Sequence, residues 1–214
     1  MSVIVPTILA ETADDYKAQV ERLQPFAERV HLDVTDGEFA PRFTVGASEL
    51  WWPENWKVDI HAMVARPAEY AQALVNLKPN MIIFHAEAEG DIAALMQQIK
   101  GLGMKAGISL QRFTVPETVA PLIEVADHVM IFSGELGQFG GKASLMQLEK
   151  VRLIKRINSA VEIGWDGGVA LDNAYTLTQG GVDVLNTGGA IQKAADPSAS
   201  YADLVKEINK HGVI

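Results

Sequence analysis

The sequence predicts an α/β protein, a (β/α)8 TIM barrel forming a single domain over residues 1–214. Three observations carry the prediction. Eight short apolar runs alternate with stretches that read mostly as amphipathic helices. Most runs are apolar on both faces, as a strand buried in a parallel sheet must be. The length gives about 27 residues per unit, near the ~200-residue lower limit for such a barrel. A doubly wound open sheet is the alternative. It is weakened because no G-x-G-x-x-G follows the first run.

The elements follow in order. The first strand is expected over 3–8, and a helix over 13–23 with Tyr16, Val20 and Leu23 on one face. The second strand covers 29–34. The segment after it, 47–56, is poor helix, with three tryptophans and Pro53. The third strand, 58–63, precedes a helix over 67–77 that opens on Pro67, a residue suited to the first helical position. Strand 81–85 leads through Gly90 to helix 91–99, where Ile92, Leu95, Met96 and Ile99 share a face. Strands 105–110, 128–132, 161–165 and 182–186 follow, with helices expected over 115–124, 145–157, 171–178 and 198–210.

Composition narrows the function. At 48% hydrophobic and 21% charged the chain is globular, not disordered. With no cysteine it has no disulfide, thiolate metal site or cysteine nucleophile. No apolar run approaches the ~20 residues of a membrane-spanning helix. The first residues carry no basic region of the signal-peptide kind, so a cytoplasmic protein is expected. A formal charge of −9 argues against a nucleic-acid partner. It leaves room for a small phosphorylated substrate, because backbone N–H groups at a helix N-terminus hold phosphate without lysine.

Four clusters carry chemistry. His31 and Asp33 are two apart on a strand, share a face, and sit near its C-terminal end, where barrel active sites lie. They suit a divalent cation, with a plain strand end and the Asp36-Gly37 turn as the alternative. Asp59, His61 and Met63 share a face at the end of the third strand; a lone histidine there is otherwise a core residue. Asp166 follows the seventh strand, with Gly167 and Gly168 after it; a polar turn is the alternative. Gly140-Gly141 and Gly188-Gly189 follow the sixth and eighth strands and, with Gly167-Gly168, offer backbone N–H groups on one side of the barrel top, or simply make tight turns. Among other residues, His85 is expected to point at the mouth, His128 to be structural, His211 to be solvated, and Trp51-Trp52 to pack under a loop. Arg112 and Lys142 are expected at the surface, with phosphate contact as the alternative.

These residues together resemble the ribulose-phosphate 3-epimerase family over nearly the whole chain. The matching stretches are Pro6-Thr7-Ile8-Leu9, residues 31–41 with Thr44-Val45-Gly46, residues 59–64 with Pro67, His85-Ala86-Glu87, residues 103–107, and Asp166-Gly167-Gly168-Val169. The resemblance implies a divalent metal, zinc or iron(II) first, with manganese or cobalt as further candidates. It would be held by His31, Asp33, His61 and Asp166. It also implies Asp33 and Asp166 as the acid–base pair acting on D-ribulose 5-phosphate and D-xylulose 5-phosphate. Thr7, Met63 and the six glycines would contact the phosphorylated ketose, and a homo-oligomer is expected by analogy. The chain departs from the pattern in places. Thr7 replaces a serine, Thr35 and Phe132 replace methionines, and Ala62 replaces a leucine. Residues 111–116 replace an Asn-Pro-Gly-Thr-Pro loop, and the loop 133–141 lacks the usual Pro-Gly. A 3-epimerase for another sugar phosphate, such as allulose 6-phosphate, and a non-catalytic sugar-phosphate or metal-binding barrel are therefore the competing readings.

Overall fold

A computed structural model describes residues 2–210. His211 lies outside the described residues. Eight parallel strands close into a barrel in sequence order. They are β1 (Val3–Ile8), β2 (Arg29–Thr35), β3 (Lys57–Met63), β4 (Met81–His85), β5 (Lys105–Leu110), β6 (His128–Phe132), β7 (Glu162–Asp166) and β8 (Val184–Thr187). Closure runs from Val3↔Val184 to Pro6↔Thr187.

The outer layer holds α1 (Ala13–Leu23), α2 (Pro67–Asn76), α3 (Ile92–Gly101), α4 (Ala120–Val125), α5 (Glu149–Ile157), α6 (Ala174–Gln179), α7 (Gly189–Gln192) and α8 (Pro197–Ile208). Side-chain oxygens of Thr12, Asp91 and Asp196 cap α1, α3 and α8 by accepting from the N–H groups of Asp15, Ala94 and Ala199. Pro67 and Pro197 occupy first turns.

The period-two alternation of the strands decides where the chemistry goes. Val30, Leu32 and Val34 of β2 and Val58, Ile60 and Ala62 of β3 join the continuous core between barrel and helices. Each fully buried aliphatic side chain in that layer contributes about 2 kcal/mol of burial energy. The residues between them, Arg29, His31 and Asp33 on β2 and Asp59, His61 and Met63 on β3, therefore fill the barrel interior. Met81, Ile83 and Met130 form a small separate apolar cluster.

Several elements differ from expectation. The helix expected over 115–124 is a 3-10 turn, Pro116–Val119, followed by the short α4. Pro116 and Pro121 each remove a backbone donor there. Residues 145–148 are likewise a 3-10 turn before α5. The strands expected from 161 and 182 begin at Glu162 and Val184. Val182 is buried like a strand residue, but its N–H bonds back to the Leu177 carbonyl. The short helix α7 after β8 was not expected.

Candidate metal centre

Strand pairing alone aligns three of the four donors. In the β2–β3 register, Asp33 stands beside His61. Asp166 closes β7 across the barrel. One donor atom from each of His31, Asp33, His61 and Asp166 falls within 4.8 Å of every other. His61 Nδ1 lies 2.9 Å from Asp33 Oδ1 and 3.7 Å from Asp166 Oδ2. His31 Nε2 lies 3.3 Å from Asp33 Oδ1 and 3.8 Å from Asp166 Oδ2. Despite that proximity, His31 Nε2 is buried and makes no hydrogen bond.

Those features fit a divalent cation. Two imidazoles and two carboxylates are borderline donors of the kind zinc and iron(II) accept. An orphaned buried ring nitrogen is costly unless something polar meets it. Two carboxylates packed this closely also call for positive charge.

The ionisation behaviour follows from the packing. Burial opposes charge on Asp33, but close contact with the His31 and His61 rings and their charge outweigh it and hold its pKa at about 2. Burial, then the Asp33 charge, raises Asp166 to about 6. Burial also pushes His61 down to about 4, against the pull of Asp33. His31 is buried too, yet contact with Asp33 and the charges of Asp166 and Asp59 raise it above its ordinary value.

Above the donors opens a cavity of about 280 Å3. It brings together Thr7, Asp33, Met63, Gly140, Gly141, Asp166, Gly167, Gly168, Gly188 and Gly189. The buried His31 and His61 are not among its lining residues. The Asp166 turn requires glycine: Gly167 has φ +100°, and a Cβ there would meet the Gly134 backbone nitrogen at 2.0 Å.

Other residues are placed as follows. His85 does not reach the mouth; it is buried, with Nε2 2.8 Å from His61 Nε2. The physical reason is the ring of Phe39, which lies tilted against His85 with centroids 4.7 Å apart, with Phe132 edge-on at 5.6 Å. His128 is buried at the start of β6, 2.7 Å from Glu162. Asp36 makes the expected turn, accepting from Glu38 and Phe39 N–H, and also accepts from Ala65 N–H. Trp51 lies edge-on to Tyr16, whose hydroxyl donates to its carbonyl. Arg112 donates to the Gly134 carbonyl, and neither it nor Lys142 lines the cavity.

Lys193, Asn186 and Phe139 are among the lining residues to which sequence reasoning gave no role. Lys193 is the one cation lining the cavity among the described residues. It follows α7, and recognising that short helix was the only signal for it. Asn186 lines the cavity from β8, its amide donating to Met130 Sδ at 3.2 Å. Phe139 packs over Gly188 from the loop after β6.

What the fold defines is a barrel class shared by many activities. A 3-hexulose-6-phosphate synthase from Salmonella typhimurium superposes with a TM-score of 0.72 at 15% identity, covering 98% of this chain and 100% of that one. A 3-keto-L-gulonate-6-phosphate decarboxylase from Vibrio cholerae gives 0.70 at 13%, with 97% of each chain covered. At those identities the likeness is one of fold alone.

Sequence comparison is narrower. The model of the ribulose-phosphate 3 epimerase family matches residues 3–192. A ribulose-phosphate 3-epimerase of Helicobacter pylori is 33% identical over 201 residues, 90% of this chain and 92% of that protein. The cytoplasmic isoform of Oryza sativa is 30% identical over 213 residues, 96% and 93% of the two chains. The chain belongs to the ribulose-phosphate 3-epimerase family, a family of isomerases. No helix among the described residues is long and apolar enough to cross a membrane.

Proposed function

We propose that this chain is a metal-dependent ketose-phosphate 3-epimerase interconverting D-ribulose 5-phosphate and D-xylulose 5-phosphate. The observation that carries the reading is the pair Asp33 and Asp166 in one cavity wall, over two buried histidines, with all four donors within 4.8 Å. His31, His61 and the two aspartates would hold zinc or iron(II). A bound cation would supply Lewis-acid stabilisation of the charge that develops when the C3 proton leaves.

The protein supplies the proton chemistry. Asp33 and Asp166 both face the cavity, and Asp33 takes the proton from C3. Asp166 returns a proton from the opposite face of the planar enediolate. The roles reverse for the reverse reaction. Met63 and Phe132 wall the cavity and keep water from the carbanionic carbon. Backbone N–H groups near Gly140, Gly141, Gly167, Gly168, Gly188 and Gly189 take the phosphate, assisted by the Lys193 ammonium. Thr7 offers a hydroxyl that has no hydrogen-bond partner in the protein.

The test is exchange with solvent. Protein loaded separately with zinc, iron(II) or manganese is given D-ribulose 5-phosphate in D2O. Deuterium at C3 together with xylulose 5-phosphate is the expected result. Exchange only with a hexulose phosphate would move the substrate to the allulose 6-phosphate class, which the altered wall at Phe132 favours. No exchange with any ketose phosphate would overturn the reading. Exposed Phe113 and Met146 support a homo-oligomer, which sedimentation would decide.

A further inference from the structure

Behind the metal centre runs a row of polar contacts that the proton transfer does not use. His61 faces Asp33 Oδ1 through Nδ1 at 2.9 Å and His85 Nε2 through Nε2 at 2.8 Å. His85 Nδ1 faces Glu87 Oε2 at 3.2 Å. Both histidines are completely buried, so no solvent can serve their nitrogens. Glu87 Oε1 in turn accepts from the Gln111 N–H at 2.9 Å and from the Thr114 hydroxyl. Lys150 fixes that loop by donating to the Gln111 and Arg112 carbonyls.

The row has a donor shortage. Three contacts lie between two carboxylates, and carboxylates only accept. Two neutral imidazoles bring two N–H groups. One contact must therefore set lone pair against lone pair. A cation held by His31, Asp33, His61 and Asp166 would remove the shortage in one way only. His61 would then leave its Nδ1 lone pair to the cation and donate Nε2–H to His85. His85 then donates Nδ1–H to Glu87.

We infer that Glu87 is a positioning residue which, through His85, holds His61 in the tautomer that leaves Nδ1 free to ligate. The inference rests on the metal-centre reading above. Hydrogen-bonded partners behind a ligating histidine commonly set its tautomer and are worth about 10–100-fold in metal affinity. What is particular here is a second imidazole between the ligand and the carboxylate.

Glu87→Gln reverses the row. The Gln111 N–H can only donate, so it holds the amide oxygen where Glu87 Oε1 now sits. The amide NH2 is then left to donate to His85 Nδ1. His85 must donate Nε2–H to His61, and His61 must donate Nδ1–H to Asp33. All three contacts are filled without a cation, and Nδ1 is blocked.

The test titrates zinc into the wild type, Glu87→Gln and Glu87→Ala against a chromophoric chelator, with melting curves of the metal-free forms. Glu87→Gln is expected to bind zinc about 10–100-fold more weakly than wild type. Its metal-free melting temperature should equal or exceed the wild type's. Glu87→Ala imposes no wrong tautomer and should bind zinc with intermediate affinity. If Glu87 merely packs, the order reverses and Ala is the worse variant. That order, or Glu87→Gln binding like wild type, overturns the inference. So does failure of Glu87→Gln to fold, since the reversed row fills all three contacts. A wild type that binds neither zinc nor manganese overturns the metal centre itself, and the relay with it.

Discussion

The barrel carries two polar clusters, one partly buried at its N-terminal end and one buried at its C-terminal end, and strands β2, β3 and β7 contribute to both. At the N-terminal end Arg29 Nε donates to Asp59 at 2.6 Å, and its other nitrogens donate to both oxygens of Glu162 at 2.9 and 2.8 Å. Asn80 donates to Asp59 and His128 contacts Glu162. At the C-terminal end stand His31, Asp33, His61 and Asp166, with His85 behind them. Each end holds two carboxylates and at least one histidine. Only the first contains an arginine. That end carries its own cation and is complete as folded. The other leaves its charge balance to something that can come and go. Residue types alone do not separate a structural cluster from a functional one; the presence of a built-in cation does.

The largest expected effects come from breaking each end in turn. Asp33→Asn should lower turnover by about 10²–10⁴-fold, the usual weight of a positioned proton-transfer group. Its melting temperature should stay within a few degrees of wild type. Arg29→Met should do the converse. It strands Asp59 and Glu162 without a cation, a loss of about 3 kcal/mol or more. Melting would fall by about 6–12 °C for a chain of this size. Turnover per folded molecule should hold. Activity assays normalised to folded protein, beside calorimetry, read both arms. If both variants lose activity and stability together, the ends are not separate.

Acid sharpens the contrast. Burial works against charge on Glu162, but Arg29 and His128 outweigh it, and its pKa falls below the ordinary 4.5. A depressed carboxylate contributes stability above its unfolded pKa and loses it as pH falls toward the folded value. The N-terminal end therefore weakens only below about pH 4.5. Asp166 has the opposite sign, raised from 3.8 to about 6. Its contribution to the metal-free protein is greatest at low pH and is lost as pH rises through about 6. Ligation needs the ionised form, so zinc affinity should climb with pH up to and somewhat beyond 6, by about tenfold per unit for each proton displaced. His31, held above 6.5, extends the rise. Zinc titrations between pH 5 and 8 check it. An affinity flat over that range would mean that neither group must lose a proton to ligate.

How much of this was legible beforehand follows from the physics of each element. The strands were readable because buried parallel strands are apolar on both faces, and the sites because His31, His61 and Asp166 sit at or near strand ends. The boundaries at 161 and 182 were not. Burial extends past the hydrogen-bonded ladder, so Val182 reads as strand while its N–H turns back to Leu177. Pro116 and Pro121 signalled a broken helix more strongly than the apolar spacing over 115–124 did. His85 looked like a mouth residue because its place on β4 fixes its direction but not its cover; only the fold brings Phe39 over it. Glu87 stood in the matching stretch His85-Ala86-Glu87, but nothing local showed its role, since its partners at 111 and 114 come from another loop.

The smallest expected effect lies at the mouth. Lys193 is exposed, and it lines the cavity from just beyond α7, beside Gly188 and Gly189. In the proposed function those backbone groups take the phosphate wherever the lysine points, so the ammonium would add only a solvent-screened attraction. Exposed pairings of this kind are worth about 0.2–1 kcal/mol, or at most about fivefold. Lys193→Met should accordingly raise KM up to about fivefold with kcat unchanged, and the difference from wild type should shrink in high salt. Steady-state kinetics at two ionic strengths would show it. A drop in kcat of similar size would put the lysine closer to the reacting carbons than the cavity suggests. It would also extend the charge balance of the C-terminal end beyond the four candidate metal-holding residues.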